Sequence, residues 1–193
     1  MEKVNTKVKW LFISMIALIS MQACSEDSDY YPKPRGDLRL SFPDRVYDIY
    51  ESDCPFSFEI PEYFSPVALD SSCNRNIDMG QFNATLFLTY LPVDSNLFMN
   101  IEYSRKLAYE HSVKADEIRE VAYVNPSAQT YGLSYDIVGN AASPYQFYLT
   151  DSADHFMRGA LYFNTSPNYD SVKPSLDYIK EDIRHMIETT SWK

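Results

Sequence analysis

Three cysteines, three histidines and an excess of carboxylates are the side chains of this 193-residue chain that could carry chemistry. Cys24 has the clearest context. Lys3, Lys7 and Lys9 form a basic start, the apolar run Trp10–Met21 follows, and Gln22-Ala23-Cys24 closes it. A run of roughly a dozen apolar residues is too short for a hydrocarbon core, which needs about 20. A charged start, a short apolar region and a small residue before the cut describe a signal peptide. A cysteine directly after that cut is the thiol that a diacylglycerol transferase alkylates, so Cys24 is expected to be lipidated. Met21 departs from the pattern, since leucine is more usual three positions before such a cysteine. With Cys24 spent on lipid, Cys54 and Cys73 remain as an even pair. In an oxidising envelope compartment two such thiols most simply form one disulfide, which adds roughly 3 kcal/mol for a loop of this length. No CxxC spacing or nearby histidine favours a metal instead.

The histidines offer less. His111 stands beside Glu110 without the i, i+4 ligand spacing that a helical metal site needs. His155 closes Asp151-Ser152-Ala153-Asp154-His155, which holds serine, aspartate and histidine together. Catalytic triads are assembled in space rather than by adjacency, so this cluster reads as a turn between strands. His185 falls near the end of the last helical pattern, where a positive charge suits the helix dipole. All five glycines are isolated, so neither a phosphate-cradling loop nor a nucleophile elbow is present. No catalytic residue, metal ligand or cofactor is therefore assigned. Asp151-Ser152-Ala153 and Asp170-Ser171-Val172 fit a loose bacterial O-glycosylation pattern, which makes Ser152 and Ser171 candidate acceptors.

Charge sets the partners. Removing Lys3, Lys7, Lys9 and Glu2 from 17 basic and 27 acidic side chains leaves 14 and 26, a formal charge of −12. Such a surface repels a phosphate backbone, so nucleic acid is excluded as a partner. It also repels anionic lipid, which leaves the acyl chains on Cys24 as the membrane attachment. The 45% hydrophobic content suffices for a core, and sixteen tyrosines against five glycines favour a sheet-rich body.

The elements that must hold these residues follow from periodicity. Residues 1–23 are the signal peptide, 24–36 an acidic and then proline-rich tether, and 37–193 one domain. The cluster Glu26, Asp27 and Asp29 fits either a surface-export signal or a solvated linker. Alternation predicts strands over 38–42, 46–50, 75–79 and 84–91, with 55–61 an edge strand fenced by prolines. A helix capped at Asp94 or Ser95 is expected to bury Leu97, Phe98, Ile101, Leu107 and Ala108 and to run on through Val113, Ala115 and Ile118. Strands over 129–138, 145–150 and 156–164 then form a meander with turns at Gly139-Asn140 and 151–154. A last helix starts at Pro174 and buries Leu176, Ile179, Ile183, Met186 and Ile187. The sum is an α+β domain, a central antiparallel sheet carrying a mid-chain and a C-terminal helix, and its order is similar to the Mog1/PsbP-type fold.

Longer strings carry a family resemblance. They include Tyr31-Pro32-Lys33-Pro34-Arg35-Gly36, Cys54-Pro55-Phe56-Ser57-Phe58-Glu59 and Ser104-Arg105-Lys106-Leu107-Ala108-Tyr109. Gly139-Asn140-Ala141-Ala142-Ser143, His155-Phe156-Met157-Arg158-Gly159-Ala160-Leu161-Tyr162-Phe163-Asn164 and Tyr178-Ile179-Lys180-Glu181-Asp182-Ile183 extend it. Together these resemble the gliding-motility lipoproteins GldD of Bacteroidetes. The resemblance implies a palmitate-bearing lipoprotein of the outer membrane, on its periplasmic or outer face, needed for gliding and the associated type IX secretion machinery. It implies other gliding and secretion proteins as partners, in a non-catalytic scaffold or assembly role. Arg105, Lys106, His155 and Arg158 are the candidate partner surface, Arg158 being the candidate anchor. The alternative is an envelope module that binds glycans or peptides through exposed tyrosines.

Overall fold

Alternation and helical periodicity become two antiparallel sheets and two long helices. The structure, a computed structural model, describes residues 10, 41–69 and 72–193. Cys24 and the tether therefore lie outside the described residues. The strands are β1 (Tyr47–Tyr50), β2 (Phe56–Pro61), β3 (Ser65–Ala68), β4 (Arg75–Met79) and β5 (Ala84–Pro92), followed by helix α1 (Leu97–Tyr109). Next come β6 (Ala115–Asn125), β7 (Thr130–Gly139), β8 (Tyr145–Thr150) and β9 (His155–Phe163). Helix α2 (Tyr169–Thr189) and the short β10 (Ser191–Trp192) end the chain. Seven strands pair in the order β3-β4-β5-β9-β8-β7-β6, and three in the order β1-β2-β10.

The main core lies between the inner face of the seven-stranded sheet, α2 and β2. Phe56, Phe58 and Ile60 alternate inward along β2 and meet Ile77, Leu86, Phe147 and Leu161. The expected stripe of α2 is buried in full: Leu176, Ile179, Ile183, Met186 and Ile187 are at most 4% exposed. Asn168 caps that helix by accepting the backbone N–H of Ser171. Gly159 faces this core, and a Cβ there would stand 2.2 Å from the Phe147 ring. The disulfide expected between Cys54 and Cys73 is present, with Cα atoms 5.6 Å apart. It ties the start of β2 to the approach to β4.

Several expectations about elements are not met. The mid-chain helix stops at Tyr109, passes through a 3₁₀ turn at Glu110–Val113, and gives way to β6. Residues 115–120 have helix-forming composition, but ten residues of β6 pair with β7, and that tertiary contact overrides propensity. α1 buries the expected stripe only in part: Ala108 is buried and Leu97, Ile101 and Leu107 are partly so. Its small residues Ser104 and Ala108 face the sheet, while Phe98 is 75% exposed. Small residues four apart allow close approach, while Phe98, Met99 and Tyr103 turn outward. β2 is central rather than an edge, because its prolines fall just before it and at its last residue, leaving both sides free to pair. α2 begins at Tyr169, so Pro174 lies inside it. Ser41 and Phe42 are not in a strand, and the rest of the segment 38–42 lies outside the described residues.

Candidate functional site

Two places gather polar chemistry, one on each side of the seven-stranded sheet. On the inner side Asp182, wholly buried on α2, accepts hydrogen bonds from Arg45 Nε at 2.9 Å, Tyr47 at 2.6 Å and Tyr63. Burial, followed by the bond to this carboxylate, pushes the Tyr47 and Tyr63 phenols well above their ordinary range. Arg45 also lies over the Tyr178 ring, 4.2 Å from its centroid, and that ring stacks on Phe42. Beside this cluster His185 bonds Glu59 at 2.7 Å and stacks on Tyr47. Both oxygens of Asp182 are engaged and the residue is wholly buried, so the cluster works as a latch between the segment before β1, the β2–β3 turn and α2. Sequence reasoning missed it. The available signal was an aspartate set on the buried stripe between Ile179 and Ile183.

On the outer side, the residues of β9 that point away from α2 are Phe156, Arg158, Ala160 and Tyr162. Pairing sets Arg158 between Thr89 of β5 and Tyr148 of β8. Phe87, Arg158, Ala160, Tyr162, Phe163 and Asn164 line an open cleft of about 500 Å³. Phe87 and Tyr162 meet edge to face at 5.5 Å. The Arg158 guanidinium is half-buried and bonds the side-chain oxygen of Gln146 at 2.5 Å, leaving the Gln146 amide nitrogen buried and unpaired. Burial lowers its pKa from the usual arginine range, partly offset by Tyr162 and Tyr103. None of the ion pairs among the described residues uses Arg158. In a chain so rich in carboxylates, a half-buried cation facing an aromatic cleft without a counter-ion is chemically poised for an anionic group. The aromatic walls were absent from the sequence-level site, although the outward positions of β5 and β9 alternate regularly enough to reveal them.

The four residues of the expected partner surface are divided. Arg105 and Lys106 are exposed on α1, with Arg105 over Tyr109 at 5.4 Å. They share the outer side with Arg158. His155 is on the other side, stacked on Trp192 at 5.2 Å and bonded to the Tyr90 hydroxyl at 2.8 Å. The Asp151 cluster is a turn: burial works to raise the Asp151 pKa, but backbone N–H groups of Ala153, His155 and Asp154 hold it below the usual carboxylate range. Ser152 adopts φ 71° in that turn and is exposed, as is Ser171 in the first turn of α2. His111, half-buried, has its pKa lowered mainly by burial. Among the described residues no three histidine, cysteine, aspartate or glutamate side chains gather as a metal site.

Among curated proteins, none matches the chain. A family model described as gliding motility lipoprotein GldD matches residues 27–192, nearly all of the sequence behind Cys24. With that span of agreement the chain belongs to the gliding motility lipoprotein GldD family, and is thereby a gliding-motility lipoprotein of the envelope with the type IX secretion link that accompanies the family.

Proposed function

We propose that the protein is a non-catalytic scaffold of the gliding and secretion apparatus, held at the outer membrane by acyl chains on Cys24, and that it recruits another envelope protein through the Arg158 cleft. The observation that carries this reading is the half-buried Arg158 cation, bonded to Gln146 but in no ion pair among the described residues, and walled by Phe87 and Tyr162. An acidic side chain or terminal carboxylate would satisfy the guanidinium in a bidentate bond, and an adjoining apolar residue would cover the rings. Arg105 and Lys106 on α1 add positive charge on the same side, and His155 takes no part. In this reading 37–193 is one domain of Mog1/PsbP-like plan, 24–36 its tether and 1–23 the removed signal. Ser152 and Ser171 are exposed enough to accept a glycan, and the mass of the native protein would reveal one.

The glycan-binding alternative draws less support. Tyr47 and Tyr63 are spent on Asp182, Tyr178 lies under Arg45, and Tyr90 and Tyr123 are bonded to His155 and the Glu188 carbonyl. Crosslinking in cells at native abundance tests the scaffold reading. Wild type should give a discrete adduct to another envelope protein that Arg158→Glu loses while keeping its abundance; an adduct indifferent to that substitution refutes the cleft.

A further inference from the structure

The two edges of the seven-stranded sheet are unequal. A sheet edge presents unpaired N–H and C=O groups, and natural edges are usually blunted by shortness, proline, charge or a bulge. β3 is blunted twice over, being four residues long with Pro66 inside it. The first half of β6 is also protected, by Asp116, Glu117, Arg119 and Glu120 and by a register shift between Ala115 and Glu117. From Val121 to Asn125 none of these devices operates. That half carries no charge and no proline, and Val121 and Val124 are 59% and 66% exposed. It nevertheless stays in unbroken register with β7 from Val121↔Ser134 to Asn125↔Thr130. Every second residue of such a strand turns its backbone donor and acceptor away from its one neighbour.

Beneath this unprotected half is a groove. Val121 and Tyr123 form its lip, Ser134, Tyr145 and Phe147 its bed, and Ile187 of α2 its far wall. Arg184 and Glu188 stand at the rim, and the Tyr123 hydroxyl donates to the Glu188 carbonyl at 3.2 Å. Its volume is about 160 Å³. Drug-sized ligands occupy about 300–1,000 Å³, so this space suits a single aliphatic or aromatic side chain. A side chain that small needs affinity from elsewhere, and the neighbouring backbone of β6, which among the described residues pairs with β7 alone, supplies it. Strand addition with alternate side chains entering a pocket is an established mode of peptide recognition.

We propose that Val121–Asn125 of β6 and the groove between β6 and α2 together receive an extended segment of another protein as an eighth strand, one apolar side chain of which enters beneath Ser134. The occupant is another protein because the formal charge of −12 on the chain without its signal opposes pairing with a second copy. This site is separate from the Arg158 cleft on the opposite side of the sheet, so either can fail without the other.

The test uses the full lipidated chain in detergent and the synthetic peptide acetyl-Thr-Val-Thr-Leu-Thr-Val-Thr-amide. Hydrogen exchange is followed residue by residue, together with thermal unfolding. The peptide should slow exchange saturably at amides within 121–125. The same peptide N-methylated at alternate amides, which loses its donors, should bind at least ten-fold more weakly. Val121→Lys at the lip and Ser134→Leu, which fills the groove, should each weaken binding ten-fold or more at unchanged unfolding temperature, whereas Val67→Lys on β3 should not. Should one of the two unfold, the other carries the comparison. Equal binding of the methylated peptide, protection elsewhere, or no protection overturns the proposal. Protection at 121–125 that grows with protein concentration in the absence of peptide also overturns it, since a second copy then fills the edge.

Discussion

Asp182 is a buried carboxylate fully occupied by one arginine and two phenols, and its consequences are energetic. Breaking one side of a buried, hydrogen-bonded charge cluster costs about 3–5 kcal/mol, because the remaining charge is left uncompensated. Asp182→Asn should therefore lower the urea midpoint strongly, while Tyr63→Phe should cost only about 1–3 kcal/mol. The same phenols predict the alkaline limit. Their pKa values are raised in the folded state, so their contribution is complete below the unfolded tyrosine value of about 10 and is lost as pH rises beyond it. Unfolding free energy measured between pH 8 and 11 should fall above about pH 10, and less steeply in the double variant Tyr47→Phe/Tyr63→Phe. None of this was legible from residue types alone. Asp182 could be noticed as an acid on an apolar stripe, but Arg45, Tyr47 and Tyr63 reach it from distant positions in the sequence.

At the scale of elements, legibility followed how locally each element is determined. The α2 stripe, the meander β7–β9 and the alternation of β4 and β5 carry their own periodicity, and all form as expected. β6 does not, because its first six residues favour helix and its strand state exists only through β7. The fate of α1 was hidden for a related reason: which side of a helix is buried depends on the neighbour, and here Ser104 and Ala108 permit the closest contact. The Cys54–Cys73 pair was readable from an even count and an exported chain, without geometry. Replacing both cysteines by serine should cost roughly 3 kcal/mol by loop-closure entropy, read as a lower unfolding temperature that reductant reproduces in wild type. Gly159→Ala should be costlier to the fold than its size suggests. The added methyl meets the Phe147 ring inside a core with no room to yield, and overpacking of this kind costs about 1–3 kcal/mol.

For the whole molecule, the division of labour runs across the sheet. The inner side is packed by α2, the latch and the disulfide, apart from the groove beside β6. The outer side carries the Arg158 cleft and the exposed residues Phe98, Met99 and Tyr103 of α1. Membership of a lipoprotein family implies a membrane anchor, and in the proposed reading, with acyl chains on Cys24, a modest docking affinity is amplified by confinement. Family membership was legible from long strings spread over the chain, whereas the cleft needed the β5–β9 register to bring Phe87 beside Tyr162. The central claim is that the protein acts by holding a partner rather than by catalysis. The most direct measurement is a photo-reactive residue placed at Tyr103, beside Arg158, in cells that express the chain at native abundance. We predict a discrete adduct with another gliding or secretion protein, lost on Arg158→Glu although that variant remains folded and lipidated. Recovery of only the uncrosslinked monomer, under illumination that labels a known envelope complex in the same cells, would contradict the account.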